Sequence, residues 1–574
     1  MINKWNYLPL TPEQELISKR LEEKYPQYPT ICELLAQRGI TSVAETEKFF
    51  KPRLSDLHDP FLMRDMQKAV NRLNRAIGAK ERIMIYGDYD VDGTTAVALV
   101  YKFLLNYYSG LDYYIPDRYE EGYGISTKSI DYAAETGVKL IITLDCGIKA
   151  VERIAYARSK GIDFIICDHH VPDDKLPDAV AILNPKLEDE PYPYKHLSGC
   201  GVGYKFMHGF AISNGLDVAA DLEPLLDLVA VSIVSDIVPI TGENRILTYH
   251  GLKRINTCPS MGLRAIIRVC QLHNKKDINI SDIIFKIGPR INASGRMQSG
   301  KEAVDLLVSR DVNEAYRKGR EIDRYNEDRK ELDKRITEEA NTILQNHIDM
   351  ANRRSIVIYN KDWHKGIIGI VASRFTELYY RPAVVLTLSD GLATGSARSV
   401  QGFDIYKAVE SCRDLLENFG GHTYAVGLSL KEEHIKEFTQ RFEEYVTENI
   451  EPAQMTPQID IDAYLNFSEI TPEFIEILRL FNPFGPGNNK PVFCTKQVSD
   501  YGTSRLVGRR QEHLKLELVD SQSGRIMNGI AFNMKKYYEY IKTGKPFDIC
   551  YTIEDNQRGG NDVQIFLKDI HINQ

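Results

Sequence analysis

Short apolar runs alternate with helical segments through the first half of the chain. The runs are ERIMIY (81–86), KLIITL (139–144) and IDFIIC (162–167). Their length and their β-branched residues favour buried strands. The helical segment AVERIAYARSKG (150–161) separates the second run from the third. Strand, helix and strand at this spacing predict parallel strands joined by right-handed crossovers.

The pattern changes three more times along the chain. The stretch from 311 to 352 is highly charged, with sparse apolar positions three and four apart, which predicts a long half-exposed helix. A second strand and helix alternation begins at RSIVIY, and the last segment has short alternating stretches such as HLKLELVD, which predict a small β-barrel. The predicted domains are a helical region (1–70) with a helix cap at Thr11, a parallel-sheet α/β domain (71–310), a connecting helix (311–352), a second α/β domain (353–450) and a small β-barrel (451–574).

Bulk composition fits a folded protein of several domains. A chain of 574 residues is too long for one core, and its length suggests about three to four domains. The nine cysteines include no CxxC pair, so neither a disulfide framework nor a zinc ribbon is expected. No apolar run is long enough to span a bilayer and the start lacks signal-peptide features, so we expect a cytoplasmic protein. The net charge of −8 neither indicates nor excludes a nucleic-acid binder.

The acidic loop DYDVDG, from Asp88 to Gly93, begins like a calcium-binding EF-hand loop. An EF-hand needs a bidentate Glu at position 12, and that position is Leu99. The loop also follows a predicted strand, whereas an EF-hand loop follows a helix. A loop between a strand and a helix is instead where α/β folds place ligand and metal sites.

Four polar clusters stand at predicted element ends in the first α/β domain. They are Asp88, Asp90 and Asp92; Asp145; Asp168, His169 and His170; and Asp236. The carboxyl ends of parallel strands meet at one sheet edge, so we expect these side chains to converge. Carboxylates packed together repel unless cations neutralise them, and an Asp and His set suits Mn²⁺ or Mg²⁺. The set predicts metal-assisted phosphoester hydrolysis.

Each cluster also has a plainer interpretation. An isolated Asp at a strand end is usually a helix cap or a turn former. The triplet Asp168–His170 alone is equally consistent with a surface turn. Four such clusters in one domain favour the metal site.

The motifs DYDVDG, LDCG, CDHH and SDIVP occur in the order typical of the DHH phosphoesterase superfamily. Five later motifs narrow the resemblance: GPRINASGRM (288–297), WHKGIIGIVASR (363–374), GSARSVQGFDI (395–405), FGGHTYAVG (419–427) and NPFGPGNNKPVF (482–493). Together they resemble the RecJ family of single-strand-specific 5′ to 3′ DNA exonucleases. The resemblance covers about residues 50 to 574.

The resemblance implies two Mn²⁺ or Mg²⁺ ions. The implied ligands are Asp88, Asp90, Asp92, Asp145, His169, His170 and Asp236, of which all but Asp88 are also expected to be catalytic. Asp145 would bridge the ions, and Asp168 would orient His169 without binding metal. Related pyrophosphatases have a His where this chain has Tyr86, a poor ligand at neutral pH, so a pyrophosphatase is disfavoured.

Substrate contacts are expected from the second α/β domain and from several arginines. The family's associated domain matches at Gly420, Gly421 and His422, which we expect on a glycine-permitted turn that lets a nucleotide approach closely. Guanidinium groups bind phosphate bidentately, so the terminal 5′ phosphate is expected near Arg118, Arg290, Arg296, Ser396 and Arg398. Taken singly, each arginine is better explained as a surface or ion-pair residue.

The resemblance implies that the C-terminal barrel (451–574) is an oligonucleotide-binding (OB) fold that tracks a single DNA strand. Such barrels combine a cationic groove with aromatic side chains; the candidates here are Tyr501, Arg505, Arg509, Arg510 and Phe532, although an aromatic residue in a barrel is often core.

The family resemblance implies a single-stranded-DNA-specific 5′ to 3′ exonuclease. It would release 5′ mononucleotides by two-metal-ion hydrolysis during recombination and repair, as a monomer aided by single-strand-binding protein and a RecQ-type helicase. Two alternatives are a phosphodiesterase for very short RNA or cyclic dinucleotides, which the extra barrel disfavours, and a non-catalytic DNA-binding scaffold, which the complete ligand set disfavours.

Overall fold

The computed structural model describes residues 3–347, 353–555 and 563–572. The chain forms two compact units, Leu54–Met455 and a second that joins Met1–Arg53 to Thr456–Gln574. The elements before the larger unit are β1 (Lys4–Tyr7), α1 (Pro12–Glu22), α2 (Pro29–Gln37) and α3 (Val43–Phe50). The Thr11 hydroxyl accepts a hydrogen bond from the Gln14 amide, and the Gln14 side chain accepts one from Thr11 N. This capping box confirms the predicted start of α1.

The larger unit begins with a five-stranded sheet whose strands are all parallel. The strands are β2 (Arg82–Gly87), β3 (Leu111–Tyr114), β4 (Val138–Leu144), β5 (Asp163–Cys167) and β6 (Ala181–Leu183), in the order β3-β2-β4-β5-β6. The predicted parallel strands, with helices between them, are confirmed. Both faces of the sheet are covered, because alternate residues of each strand join two different apolar cores.

Twelve helices accompany this sheet in the described part of the unit. They are α4 (Met66–Gly78), α5 (Val91–Leu104), α6 (Thr127–Glu135), α7 (Val151–Ser159), α8 (Gly199–Ser213), α9 (Val218–Asp221), α10 (Leu226–Ser235), α11 (Gly242–Thr257), α12 (Met261–Val269), α13 (Ile280–Asp282), α14 (Gly288–Met297) and α15 (Gly300–Leu307). A π-helical turn, Ile283–Ile287, joins α13 to α14. Helices α5, α8 and α10 pack together behind the sheet edge that carries the acidic residues.

A helix of 36 residues, α16 (Val312–His347), follows as the charge pattern predicts. Its first half packs Ala315 and Ile322 into the core of the parallel sheet. Its second half packs Ile336 and Leu344 against the next sheet. One helix therefore belongs to both cores. The predicted continuation to residue 352 lies outside the described residues.

The second sheet completes the larger unit. Its elements are β7 (Ile356–Tyr359), α17 (Ile368–Tyr379), β8 (Ala383–Ser389), β9 (Leu392–Arg398), α18 (Ile405–Glu410), β10 (Leu416–His422), β11 (Ala425–Leu430) and α19 (Ile435–Asn449). The strand order is β10-β11-β9-β8-β7; β7 and β8 are parallel and the other pairs are antiparallel. The turn expected at Gly420–His422 is wrong, because these residues form the end of β10 and pair with β11.

The remaining elements form the barrel of the smaller unit. They are β12 (Gln458–Ile461), β13 (Ala463–Tyr464), α20 (Pro472–Leu480), β14 (Phe493–Asp500), β15 (Arg505–Val507), β16 (His513–Asp520), β17 (Ile526–Ala531), α21 (Tyr538–Ile541), β18 (Phe547–Asp555) and β19 (Val563–His571). Strands β14, β18, β19, β17 and β16 close a ring, because β16 pairs back with β14. The predicted barrel is confirmed.

The N-terminal segment is part of the barrel unit. Strand β1 pairs in parallel with β12, and Leu21, Leu34 and Leu35 of α1 and α2 share one apolar core with Phe493 and Leu516 of the barrel. Burial of these leucines commits the segment to the barrel, since each contributes about 1.5 to 3 kcal/mol on leaving water. Among the described helices, none has an apolar stretch sufficient to cross a membrane.

Candidate active site

Seven side chains converge at the carboxyl edge of the parallel sheet. Asp88 follows β2, Asp90 and Asp92 stand at the start of α5, Asp145 follows β4, His169 and His170 follow β5, and Asp236 caps the end of α10. Their ligand atoms form three groups, each with atoms within 4.8 Å of one another: Asp88, Asp90 and Asp145; Asp145, His169 and His170; and Asp92, His169 and Asp236. Asp145 belongs to two of these groups.

The backbone around Asp145 brings its carboxylate into the centre of the cluster. Asp145 has a φ of 60°, in the left-handed region that non-glycine residues adopt only with strain. Gly199 at the start of α8 faces it so closely that a Cβ there would lie 2.6 Å from the Asp145 Cβ. Glycine is therefore required at 199 for α8 to approach the site.

The start of α8 also holds Asp92. One oxygen of Asp92 accepts the Gly199 amide at 2.6 Å, and the other accepts the Cys200 amide and the Ser232 hydroxyl, each at 2.7 Å. Amides at a helix N-terminus favour a carboxylate. Burial and the neighbouring Asp90 nevertheless raise the Asp92 pKa to about 6. The network fixes the orientation of Asp92 before any ligand binds.

His169 lies among three carboxylates. Its Nε2 is 3.1 Å from Asp145 Oδ1 and 3.6 Å from one oxygen each of Asp92 and Asp236. Burial lowers the pKa of His169 to about 3, so the ring is neutral and can act as a ligand. Burial together with Asp92 and Asp90 raises the Asp236 pKa to about 9.

Asp168 differs from the other carboxylates because both of its oxygens are occupied. Its Oδ1 accepts the amides of His169 and His170 and lies 2.7 Å from His170 Nδ1, and its Oδ2 accepts the Ile148 amide. These bonds outweigh burial and bring the Asp168 pKa down to about 2. The arrangement fits an orienting role for Asp168. The ring that Asp168 contacts is that of His170, however, and not that of His169 as the sequence suggested.

The ligand set fits a divalent cation. Within the described residues, Asp88 Oδ1, Asp145 Oδ1 and His169 Nε2 are buried and have no hydrogen-bond partner, which is costly unless a ligand completes them. Burial, and then the surrounding carboxylates, hold the pKa values of Asp88 and Asp145 well above the usual range. Oxygen and imidazole ligands without thiolates suit Mn²⁺ or Mg²⁺. Tyr86 is not among them, since its hydroxyl donates to Gly124 O.

Arg118, Arg296 and Arg398 form a second group, the arginine cluster, next to Asp88 of the metal-ligand residues. The Arg118 guanidinium lies 4.5 Å from the centre of the Tyr89 ring, Arg296 donates to Gly366 O at 3.0 Å, and Arg398 donates to Ser396 Oγ at 2.8 Å. Burial, and then Arg118, Arg329 and Arg398, lower the pKa of Arg296 to about 9. In the described chain, none of Arg118, Arg296 and Arg398 has a carboxylate partner, so the cluster fits an anion.

The structure brings together most of the predicted substrate residues. Arg290 instead forms an ion pair with Asp323 of α16, at 2.8 Å. His422 is at the end of β10, where burial and the charges of His170, Lys149 and Lys186 lower its pKa. Gly420 and Gly421 lie beside it on the same strand.

Sequence reasoning missed two residues of the site. Tyr123 reaches the centre, with its hydroxyl 3.3 Å from both Asp145 O and His170 Nε2. Arg329 of α16 completes the arginine cluster, and its Nε is buried without a partner among the described residues. A tyrosine beside a glycine and an arginine in a charged helix carry no local pattern, so only the folded chain identifies them.

The barrel candidates are exposed in their own unit. Arg505 pairs across the strands with Lys515, and Arg509 and Arg510 occupy the following turn, so four cations share one hairpin. Tyr501 is exposed before this hairpin, and the half-exposed Phe532 packs on His513 and Phe566.

A second exposed aromatic pair in the barrel unit was not predicted. Tyr7 and Tyr464 are stacked with ring centres 5.0 Å apart, and Lys496 lies 4.7 Å from the Tyr464 ring. Residue 7 and residue 464 meet because β1 adds to β12, a pairing that no local pattern indicates.

Comparison with known proteins agrees with this architecture. Residues 82–233 match the DHH family, N-terminal domain; residues 352–448 match the DHHA1 domain; and residues 461–569 match the RecJ OB domain. Single-stranded-DNA-specific exonuclease RecJ of Salmonella typhimurium strain LT2 is 35% identical over 561 residues, which are 94% of this chain and 96% of that protein.

Two solved structures are similar. The crystal structure of RecJ in complex with Mn²⁺ from Thermus thermophilus has a TM-score of 0.84 at 24% identity, covering 100% of this chain and 80% of that one. A crystal structure of exonuclease RecJ bound to manganese has a TM-score of 0.60 at 29% identity, covering 70% of this chain and 98% of that one. The fold, the matched domains and the 35% identity over 94% of the chain all agree. This chain therefore belongs to the RecJ family of single-stranded-DNA-specific exonucleases.

Proposed function

We propose that this chain is a metal-dependent exodeoxyribonuclease that degrades single-stranded DNA from its 5′ end and releases 5′ mononucleotides. One observation carries the proposal: a largely buried cluster of carboxylates lies beside a half-buried cluster of arginines, and in the described chain Arg118, Arg296 and Arg398 have no carboxylate partner. The first needs cations and the second needs an anion. A metal-activated site next to a phosphate-binding site is what hydrolysis of a phosphorylated strand end requires.

The residues that would hold two divalent ions are the seven of the cluster. Asp88, Asp90 and Asp145 would hold one ion and Asp92, His169 and Asp236 the other, and His170 would contribute through its group with Asp145 and His169. When bound, Mn²⁺ or Mg²⁺ would activate water and offset the charge that develops on the attacking and leaving oxygens. A related RecJ structure at 29% identity is described as bound to manganese, which supports the choice of ion.

The protein's own groups hold this centre in place. Gly199, Cys200 and Ser232 fix the Asp92 carboxylate by three hydrogen bonds. Asp168 fixes the ring of His170 and, through Oδ2, ties the loop at Ile148 to the same edge. Such preorganisation lowers the reorganisation that the reaction would otherwise require.

The arginine cluster would bind the terminal 5′ phosphate. Arg118, Arg296, Ser396 and Arg398 supply guanidinium and hydroxyl donors, and phosphate would relieve the mutual repulsion of the guanidinium groups. Arg118 stacks on Tyr89, the residue between the metal-binding side chains of Asp88 and Asp90. A phosphate held there would present the next phosphodiester of the strand to the metal centre, which accounts for mononucleotide release.

The barrel unit would hold the rest of the strand. Its exposed cations at Arg505, Arg509 and Arg510 and its exposed ring at Tyr501 are suited to a flexible single strand. We further propose a monomer that acts in recombination and repair with a single-strand-binding protein and a RecQ-type helicase, which would supply unwound DNA. A cytoplasmic location stays a prediction.

Degradation of single-stranded DNA with either end blocked tests this function. With Mn²⁺, the parent should digest a strand blocked at its 3′ end and release mononucleotides, and it should fail on a strand blocked at its 5′ end and on blunt duplex. A chelator and Asp90→Ala should each abolish the reaction. Digestion by Asp90→Ala at the parent rate, or equal digestion of both blocked strands, would contradict the proposal.

A further inference from the structure

The loop that follows the metal-ligand residue Asp236 has a strained backbone. Asp236 caps the end of α10, and Ile237, the next residue, has a φ of 59°. A β-branched residue rarely adopts this left-handed conformation, which persists only where the surrounding structure holds it. The Ile237 side chain is 66% exposed, so its own packing does little to hold the loop. Other groups must therefore fix the backbone that follows Asp236.

Two side chains donate hydrogen bonds to this loop. The Asn244 amide, near the start of α11, donates to Pro239 O at 3.0 Å. The Tyr194 hydroxyl donates to the same oxygen at 3.2 Å. Gly242 has a φ of 43°, and a Cβ there would lie 2.7 Å from the Tyr194 ring. The glycine therefore lets the tyrosine ring close over the loop.

Asn244 holds a second segment at the same time. Its amide also donates to His196 O at 2.5 Å. His196 stands two residues before the N-cap of α8, and the first amides of α8 hold the Asp92 carboxylate. One amide group therefore ties the segment that leads to the Asp92 contacts to the loop that follows Asp236.

The two segments that Asn244 joins serve the same ligand group. That group consists of Asp92, His169 and Asp236, and the other ion is expected at Asp88, Asp90 and Asp145. The segment before α8 orients Asp92 through its amides, and the loop after α10 begins at Asp236. Asn244 is therefore placed to set the distance between two carboxylates of one ion site.

The position requires an amide. Asn244 is 0% exposed and faces two carbonyl oxygens, so only a donor satisfies both. Its own Oδ1 is buried without a partner among the described residues, which is costly. A leucine would remove that cost but would leave the His196 carbonyl without this donor. The residue therefore favours the connection between two segments over maximal stability.

The start of α11 gives Asn244 a fixed base. The neighbouring Glu243 is 1% exposed, and it accepts the His58 amide at 3.0 Å and the Tyr192 hydroxyl at 2.5 Å. It also pairs with Lys205 of α8 at 3.1 Å. A well-paired buried network is rigid, so this one anchors the first turn of α11 to α8.

We propose that Asn244 is a positioning residue for one of the two divalent ions, the one expected at Asp92, His169 and Asp236. Its amide, with the Tyr194 hydroxyl as a second donor to the loop, keeps Asp92 and Asp236 close together. The inference rests on the proposed two-metal function and deepens it. It means that this ion can be weakened while the other ion stays in place.

Titration of the full-length, metal-free chain with Mn²⁺ tests the role of Asn244. Asn244→Asp is nearly isosteric, but it replaces the donor by an oxygen that repels the two carbonyls. The electron paramagnetic resonance signal of free Mn²⁺ should show two sites in the parent. In Asn244→Asp one site should keep the parental affinity and the other should be weakened about thirtyfold, because two buried hydrogen bonds are lost.

Asn256→Asp is the matched control. Asn256 lies at the opposite end of α11, and its amide also donates to two backbone carbonyls, Leu252 O at 3.0 Å and Ile278 O at 2.9 Å. The change therefore removes the same kind of contact from the same helix. This variant should bind both ions with parental affinity even if its unfolding temperature falls.

The dependence of the rate on Mn²⁺ distinguishes positioning from a general loss of structure. At low Mn²⁺, Asn244→Asp should degrade single-stranded DNA at least about tenfold more slowly than the parent, because the weakened site is mostly empty. High Mn²⁺ should restore most of the rate, and the KM for DNA should not change. A rate that high Mn²⁺ does not restore would mean that Asn244 only stabilises the fold.

Tyr194→Phe is a milder second variant. It removes the hydroxyl that donates to Pro239 O and should weaken the same ion about fivefold, as for the loss of one hydrogen bond. Tyr108→Phe, which loses a hydroxyl bonded to Glu81 O at 2.6 Å, is its control and should bind both ions as the parent does. If Asn244→Asp does not fold, this pair decides the inference.

The outcomes separate the inference from the function on which it rests. Parental affinity at both sites in Asn244→Asp, or in Tyr194→Phe where that variant decides, would overturn the inference, and so would equal weakening of both sites. A parent that binds two ions but degrades no single-stranded DNA would contradict the proposed function and leave the inference standing. A parent that binds fewer than two Mn²⁺ ions would contradict both.

Discussion

The metal centre and the arginine cluster are two groups of like charges with opposite sign, the first largely buried and the second half-buried. In the first, burial and neighbouring carboxylates raise the pKa of Asp236 to about 9; in the second, burial and neighbouring guanidinium groups lower that of Arg296 to about 9. The carboxylates favour the binding of cations, and the arginines favour the binding of an anion, although burial alone would disfavour either ion. Like charges that are brought together without partners of opposite sign therefore mark a ligand site and also the charge of its ligand.

The clusters differ in how the chain builds them. The carboxylates and imidazoles come from the ends of three neighbouring parallel strands, from the start of α5 and from the end of α10. The arginines come from a loop at Arg118, from α14, from α16 and from β9, which belong to different layers. The metal centre is therefore a property of one sheet edge, whereas the arginine cluster requires the second sheet and the connecting helix to be in place.

Removing one carboxylate of the metal centre should have the largest effect on activity. Asp145→Asn should lower kcat on single-stranded DNA by about a thousandfold or more, as for groups that act as a unit. The same change should raise the unfolding temperature of the metal-free protein, because one of several repelling carboxylates is gone. Asp328→Asn, on the exposed face of α16, should change neither. If the Asp145→Asn protein kept its nuclease activity, or if its metal-free form unfolded at a lower temperature than the parent, the metal centre would not be a group of repelling charges like the arginine cluster.

Removing one arginine should have a smaller and more selective effect. Arg398→Ala should reduce the preference for a 5′-phosphorylated over a 5′-hydroxyl strand by at least about thirtyfold, because truncating one partner of a buried charged pair costs about 2 kcal/mol. Rates on the 5′-hydroxyl strand should change little. The exposed Arg264→Ala is the control. A variant that keeps the parental preference would place the 5′ phosphate elsewhere.

The pH dependence of stability should be the smallest effect. Asp92 and Asp236 have pKa values of about 6 and about 9 in the fold, above the usual aspartate value of about 3.9. The folded state therefore binds more protons than the unfolded state between these pKa values. The contribution of these two groups to the free energy of unfolding is complete below about pH 4 and is lost as the pH rises through about 9.

Thermal unfolding measures this trend. The unfolding temperature of the metal-free protein should fall from pH 5 to pH 9, less steeply in Asp236→Asn. Saturating Mn²⁺ should oppose the fall, because the ion replaces the protons. An unfolding temperature that rises with pH in the metal-free parent would mean that the carboxylates are not held together as described.

The sheet and most of the metal centre follow from the sequence for a physical reason. Apolar strands such as KLIITL and IDFIIC end in Asp145 and Asp168, and parallel strands must bring such ends to one edge. The acidic loop at Asp88 adds a third strand end. Local patterns therefore define the metal centre almost completely.

Features that depend on distant partners do not follow from the sequence. Arg290 and Arg296 lie six residues apart in one helix, yet Arg290 pairs with Asp323 and Arg296 joins the cluster. No local pattern separates them. Likewise β1 adds to β12 across more than 450 residues, and Gly420 extends a strand where two adjacent glycines favour a turn.

Counting bound Mn²⁺ by equilibrium dialysis tests the central claim most directly. The account predicts two ions for each parent chain, and fewer for Asp145→Asn, whose carboxylate belongs to two ligand groups. Asp328→Asn should bind as the parent does. A parent chain that binds no Mn²⁺, or an Asp145→Asn chain that binds as much as the parent with equal affinity, would contradict the assignment of this cluster as the metal centre.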